Sequence, residues 1–239
     1  MIRVEHLTVV FGGVRPLDGL DAELRAPICG LIGPNGAGKT TLLNVLSGFV
    51  RPAQGRVWLD EFDLTRLSPV QRMHAGLRRT FQQEQVVDDL TAYENIMAIA
   101  DHVPLERARR RTEVESALAL TGLDQRASWP GRRLNLLDRR MVEIAKTLIG
   151  APKLILMDEP GAGLNEAETE RLRALLLRIP STSGAQLILI DHDADLIAAL
   201  CEETLVLDFG KRMALGPTRT VLADPTVRRA YLGEPAAAC

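Results

Sequence analysis

The sequence predicts an α/β fold with a mainly parallel core sheet, and three observations predict it. Three short runs, Ile28-Cys29-Gly30-Leu31-Ile32, Leu154-Ile155-Leu156-Met157 and Leu187-Ile188-Leu189-Ile190, are apolar without alternation, the pattern of strands covered on both faces. Each is followed by a stretch with apolar residues at helical spacing, at 41–47, 165–179 and 193–201. The first strand meets its helix through Gly33-Pro34-Asn35-Gly36-Ala37-Gly38-Lys39-Thr40-Thr41, which matches the phosphate-loop pattern GxxxxGK[ST].

Each residue type in that loop has a chemical reason. Glycines let backbone N–H groups turn inward and come close to phosphate oxygens. The helix that follows adds partial positive charge at its N-terminus. Lys39 is expected to reach the β- and γ-phosphates, and the Thr40 hydroxyl to ligate Mg²⁺. The competing reading, a Gly-rich turn with a surface lysine, does not require the strand before the loop or the helix after it.

The other elements read in order around this frame. Residues 2–10 form a strand that Phe11-Gly12-Gly13 breaks; 17–24 and 55–59 form two more, the latter ended by Asp60-Glu61. Together they predict a small antiparallel layer beside the main sheet. Pro69 opens a helix through Ala75, and 77–81 form a strand ending at Gln82-Gln83. Residues 91–102, 105–121 and 136–149 are helical, the last closed by Gly150 and Pro152. The stretch 83–150 is therefore expected to be a helical subdomain within one nucleotide-binding core, made of 1–82 and 151–239. A hairpin over Phe209-Gly210 joins 204–208 to 211–215. The tail, 221–232, is helical in two pieces broken by Pro225.

Composition narrows the function classes. The chain has 239 residues, 46% hydrophobic and 25% charged, with a net charge of −2. That balance is ordinary for a globular protein and gives no electrostatic case for nucleic acid or acidic lipid as main partner. Arg107, Arg109, Arg110 and Arg111 read as a solvated face balanced by Glu106, Glu113 and Glu115, in preference to a nucleic-acid patch. The cysteines at 29, 201 and 239 fit no zinc spacing, and their odd count argues against a disulfide framework. Cys29 and Trp58 are expected to be packing residues. The N-terminus begins a strand and is no signal peptide, and no stretch approaches the roughly 20 apolar residues of a membrane helix. A membrane process would need another chain to supply the membrane part.

A second constellation sits at the end of the run 154–157, in Asp158-Glu159-Pro160. Two acids there belong at the carboxyl edge of the sheet, where ligands of α/β proteins bind, as the phosphate loop does. Asp158 is expected to hold Mg²⁺, directly or through water, and Glu159 to accept a proton from, or orient, the attacking water.

With these residues in view, the whole chain resembles the ATP-binding subunits of ABC transporters, nearest the high-affinity branched-chain amino acid uptake group. The resemblance is carried by Phe11-Gly12-Gly13, residues 32–41, Arg79-Thr80-Phe81-Gln82, residues 156–164, Ile190-Asp191-His192-Asp193 and Ala230-Tyr231-Leu232-Gly233-Glu234. It implies a P-loop NTPase of the ABC ATPase kind that binds ATP and Mg²⁺. By the same resemblance Phe11 stacks on adenine, Gln82 touches Mg²⁺ and begins the loop facing the membrane subunit, and His192 hydrogen-bonds the γ-phosphate. Gln83 is the register alternative to Gln82. The segment Gly161-Ala162-Gly163-Leu164-Asn165 would cross to a partner cassette, with Asn165 where many relatives carry Asp.

One motif departs from the family. Its LSGGQ-like signature, which binds the γ-phosphate held by the opposite subunit, is here Leu134-Asn135-Leu136-Leu137-Asp138. Both glycines and the glutamine are gone. The leucines add bulk where backbone and phosphate must approach. Asp138 puts a negative charge near an anion unless Arg139 or Arg140 screens it. Asn135 and the backbone N–H groups remain as candidate contacts. The expectation is an energy-coupling ATPase, peripheral on the inner face of the cell membrane. Its partners would be a second, different ATPase subunit, membrane-spanning permease subunits and, indirectly, a solute-binding protein. The rivals are a weakly hydrolysing regulatory subunit, an ABC ATPase acting on nucleic acid or the ribosome, and an export role like that of the lipopolysaccharide-export ATPase.

Overall fold

The computed structural model describes residues 1–82 and 84–232. Gln83, the Gly233-Glu234 end of the tail motif and Cys239 lie outside the described residues. The chain forms two compact units, Met1–Arg72 with the chain from Gln186 onward, and Met73–Ala185.

In the first unit an antiparallel sheet has the order β2-β1-β4-β5, from β1 (Ile2–Phe11), β2 (Val14–Leu24), β4 (Gln54–Leu59) and β5 (Phe62–Asp63). Ile2, Val4, Leu7 and Val9 of β1 are buried; the inward phase slips by one residue between Val4 and Leu7, where the register shifts. His6 takes a left-handed φ of 47° at that bulge. It can form because β4 carries a glycine opposite: a Cβ on Gly55 would lie 2.4 Å from the Glu5 carbonyl. The run β10-β9-β3-β8 pairs β3 (Ile28–Ile32) in parallel with β8 (Gln186–Ile190) and β9 (Glu203–Asp208), and closes with the antiparallel β10 (Lys211–Pro217). Every residue of β3 and β8 is buried, which is why neither alternates.

Its helices are α1 (Lys39–Leu46), α7 (Ala194–Leu200), α8 (Thr218–Ala223) and α9 (Pro225–Val227), with a π-turn at Arg228–Leu232. The helix α2 (Pro69–His74) leads from this unit into the next. From it Arg72, 1% exposed, reaches the far end of α1. Its Nη1 donates to the carbonyls of Val45 and Leu46, Nε to that of Leu67 and Nη2 to that of Thr65. A cation at the C-terminus of α1 meets the negative end of its dipole.

In the second unit β6 (Leu77–Arg79) runs parallel to β7 (Leu154–Asp158). Helices α3 (Ala92–Ala100), α4 (Arg107–Thr121) and α5 (Leu136–Leu148) pack on one another, and α6 (Glu166–Ser183) packs on α5. Thr91 and Glu94 form a capping box on α3. Arg78 donates to the carbonyls of Ile149 and Met73, sealing the end of α5. The arginine run on α4 is a solvated face, with Arg109–Glu113 and Arg111–Glu115 at 3.0 and 2.7 Å and Arg110 on Asp101. This unit is wider than the helical stretch 83–150 because it contains the β6–β7 pair and α6.

Several boundaries differ from expectation. β2 starts at Val14 and not at 17, because an edge strand tolerates Pro16. β6 stops at Arg79, although the Thr80 N–H still bonds the Leu156 carbonyl at 2.9 Å. α6 runs through Pro180 to Ser183, with the hydroxyls of Ser181, Thr182 and Ser183 donating back to the carbonyls of Arg178 and Ile179. The tail helix begins at Thr218, three residues early.

Candidate functional site

The phosphate loop leaves the carboxyl end of β3. Gly33 has φ 144°, and a Cβ there would lie 2.1 Å from the Leu207 carbonyl oxygen. Gly38 has φ 105°, and its Cβ would lie 2.3 Å from that of Pro16. Both positions are closed to any side chain. Gly36, at φ 81°, has no atom within 4 Å of its missing Cβ, so that side of the loop is open. Gly38 opens α1 and gives it no side-chain cap, and the first turn carries no acid. A helix N-terminus of that kind suits an anion from elsewhere. Lys39 is buried, and its Nζ donates to the carbonyls of Gly33 and Pro34 at 2.7 and 2.9 Å. An ammonium held inside the loop by its own backbone suits a triphosphate. Thr40 is exposed and Thr41 half-buried.

β8 lies parallel to β3 with Gly30 opposite Leu189, so Gly33 and His192 leave the two strands at the same edge. His192 is exposed. The turn is built by its neighbours: Asp191 Oδ1 accepts from the Asp193 N–H at 3.0 Å, and Asp193 caps α7. Tyr231 donates to the Asp191 carbonyl at 3.0 Å. Phe11 is 53% exposed, opposite Val14 at the β1–β2 turn; it is no core residue, and its ring is free of the sheet's interior.

In the second unit the acids stand where the apolar run foretold. Asp158 ends β7 and is buried; Glu159 is half-buried and takes φ 51°. A non-glycine residue held there costs about 1–3 kcal/mol, and such strain collects at functional positions. Gln82 is exposed just beyond β6, at the same carboxyl edge as Asp158. Asn165 caps α6, its side chain accepting from the Glu168 N–H at 3.0 Å.

The altered signature is held by contacts within its own unit. Asn135 Oδ1 accepts from the Asp138 N–H at 2.8 Å and so caps α5. Leu137 is 2% exposed, whereas Leu136 is exposed and lies against Gly163. The cation screening Asp138 is neither Arg139 nor Arg140. It is Arg126, whose Nη1 lies 2.7 Å from Asp138 Oδ1. Arg139 turns away to Glu84 and Asp88 at 2.6 and 2.7 Å. Neighbours on a helix point in different directions, so adjacency in sequence was the wrong guide. Sequence reasoning also gave no role to Arg79, which lies beside Asp158. Two arginines inside a short core strand were the available signal.

The model of the family described as "ABC transporter" matches residues 19–162. This chain belongs to the ABC transporter family. It is 34% identical to the high-affinity branched-chain amino acid transport ATP-binding protein LivG of Salmonella typhimurium, and the match covers 98% of each chain. Its identity to BraF of Pseudomonas aeruginosa, a protein of the same description, is 32% with the same coverage. Among solved structures, the ADP conformation of MJ1267, an ATP-binding cassette of an ABC transporter, superposes with a TM-score of 0.88 at 28% identity, covering 98% of this chain and 99% of that one. The expected α/β ABC ATPase fold is thus the fold observed, and nucleotide binding follows from it.

Proposed function

We propose that this cassette is the ATP-hydrolysing subunit of a transporter for amino acid uptake, of the branched-chain type for which the relatives from Salmonella typhimurium and Pseudomonas aeruginosa are named. The observation that carries the ATPase reading is the phosphate loop, with two glycines that admit no Cβ, an uncapped α1 and Lys39 turned inward. Residues 33–41 hold the phosphates, and Phe11 carries the base. Thr40, Gln82 and Asp158 manage Mg²⁺, which neutralises phosphate charge when bound. Glu159 takes or orients the proton of the attacking water, and His192 contacts the γ-phosphate.

Residues 1–82 and 151–239 serve as the nucleotide-binding core. The helical subdomain 83–150 and the Gln82 loop pass its closure to permease subunits. Among the described residues no helix is long and apolar enough to cross a membrane, which agrees with a subunit bound peripherally to the inner face of the cell membrane. The other partners are a second ATPase subunit and, indirectly, a solute-binding protein; nucleic acid is not a partner.

The second ATPase is a different chain, because Asn135–Asp138 supply a poor signature: Asn135 caps its own helix, and Leu136 and Leu137 stand where the family has glycines. The nucleotide on this chain's own phosphate loop is the one productively hydrolysed. The test compares phosphate release by the assembled transporter carrying Glu159→Gln here with that carrying the matching change in the partner. Loss by about 100-fold or more from Glu159→Gln alone supports the reading. If the partner's change is the more damaging, the assignment is reversed and this chain is the weakly hydrolysing, regulatory subunit; if neither matters, Glu159 is not the catalytic residue.

A further inference from the structure

Asp158 is buried with a cation beside it that the proposed chemistry does not use. Arg79 Nη2 lies 3.7 Å from Asp158 Oδ2, and the two side chains are only 7% and 9% exposed. The ladder brings them together: Arg79 pairs with Leu156, two residues before Asp158 on the parallel strand. The same guanidinium lies 5.1 Å from the centre of the Phe81 ring, and Phe81 adjoins Gln82. Burial pulls Arg79 below the usual arginine range, and the charge of Asp158 opposes that pull.

We infer that Arg79 is a positioning residue that stands in for the divalent cation at Asp158 and yields when Mg²⁺ arrives with nucleotide, an inference that rests on the reading of Asp158 as a metal ligand. A carboxylate in a poorly solvated place needs a counter-charge in every state. Without metal, Arg79 provides it. A metal ion held there would put two cations at one carboxylate, and their repulsion would loosen the Arg79–Asp158 contact. The coupling is reciprocal: whatever Mg²⁺ does to Arg79, Arg79 does to Mg²⁺ affinity. Because Arg79 also stacks on Phe81, its release is felt in the segment leading to Gln82.

The test uses the full chain and a fluorescent ribose-labelled ATP analogue, with affinity measured in Mg²⁺ and again in EDTA. The ratio of the two affinities isolates the metal contribution. Arg79→Met is expected to raise that ratio at least about fivefold and to lower the thermal midpoint of the nucleotide-free protein. Arg79→Lys keeps the charge and should keep the wild-type ratio. A lowered midpoint with an unchanged ratio in Arg79→Met would make Arg79 a structural residue and overturn the inference. Should that variant not fold, Arg79→Gln carries the same expectation. Phe81→Trp adds an independent readout: its emission should change with nucleotide and Mg²⁺ but not with nucleotide in EDTA, and a constant emission counts against the inference. Asp158→Asn separates the two levels. A ratio reduced towards one supports the metal reading, whereas a wild-type ratio refutes it whatever Arg79 does.

Discussion

Replacing Arg72 by Met isolates what holds the far end of the phosphate-loop helix. Two effects oppose. The guanidinium is almost fully enclosed, and burial pulls it down to about 10 with only Asp63 opposing, so removing it relieves a desolvation cost. Against that, it serves four carbonyls. Val45 keeps a second donor in the Gly48 N–H at 3.1 Å, but Leu46, Leu67 and Thr65 lose the guanidinium. An enclosed carbonyl without a donor costs about 1–3 kcal/mol; that of Leu46 is enclosed and those of Leu67 and Thr65 partly so, and together they outweigh the relief and leave a net loss of about 3 kcal/mol. In a chain of this size that lowers the thermal midpoint by roughly 6–12 °C. Thermal unfolding followed by circular dichroism, with and without nucleotide, reads it. Arg72→Lys restores charge but not the planar fork and should fall between the two. A midpoint for Arg72→Met within about 2 °C of wild type, or above it, would show that the carbonyls find other donors and that the reasoning fails.

Three further outcomes are expected. Gly38→Ala should weaken nucleotide binding about 10- to 100-fold through about 1–3 kcal/mol of strain, because its Cβ would meet the Pro16 carbonyl at 2.3 Å; equilibrium binding of a fluorescent nucleotide at unchanged circular dichroism measures this, and wild-type affinity would contradict it. Burial, with the charges of Asp191 and Asp193, raises the Tyr231 hydroxyl from 10 to about 12. Between those values the unfolded chain loses the proton and the folded chain keeps it, so stability is full below pH 10 and falls as pH rises towards 12. The Tyr231→Phe variant should show a shallower loss across that window, and identical alkaline slopes in denaturant titrations would refute the assignment. Burial also pushes the thiols of Cys29 and Cys201 up, the latter to about 12. In a Cys239→Ser background at pH 8 neither should react with a thiol reagent until denaturant is added; prompt labelling of the native chain would disprove the burial argument.

Much of this fold was legible because its core strands are enclosed on both faces and so read as unbroken apolar runs. Residues 28–32, 154–157 and 187–190 were found for that reason, and with them both edges that carry chemistry. The loop was legible because its glycines answer backbone constraints that no other residue meets. What escaped was set by tertiary contact. The early start of β2 at Val14 depends on edge position, which local pattern does not encode. The continuation of α6 past Pro180 depends on hydroxyls folding back on carbonyls. Arg79 carries no periodic signal, and its meaning lies in the strand beside it. Arg126 lies 12 residues before Asp138 and outside its helix, so no local spacing rule joins the two.

The contrast between two helix N-termini supports the proposal that this chain contributes unequally to a paired ATPase. Helix α1 opens on a glycine with no side-chain cap and no acid in its first turn, so its partial positive charge is offered outward. Helix α5 opens on Asn135, which spends its side chain on the Asp138 N–H, and Asp138 brings a negative charge, itself answered by Arg126, into the same turn. A phosphate approaching α5 would meet an N–H already bonded to Asn135 and the exposed Leu136 side chain. Nor is the departure a loose surface change. Leu137 is 2% exposed and packs in the core, so a glycine put back there would leave a cavity as well as a gentler approach for phosphate, and Leu136 rests against Gly163. The packing of this unit has been built around the substituted motif. On the proposed reading α5 completes a partner's site poorly, whereas the loop before α1 keeps the GxxxxGK[ST] pattern.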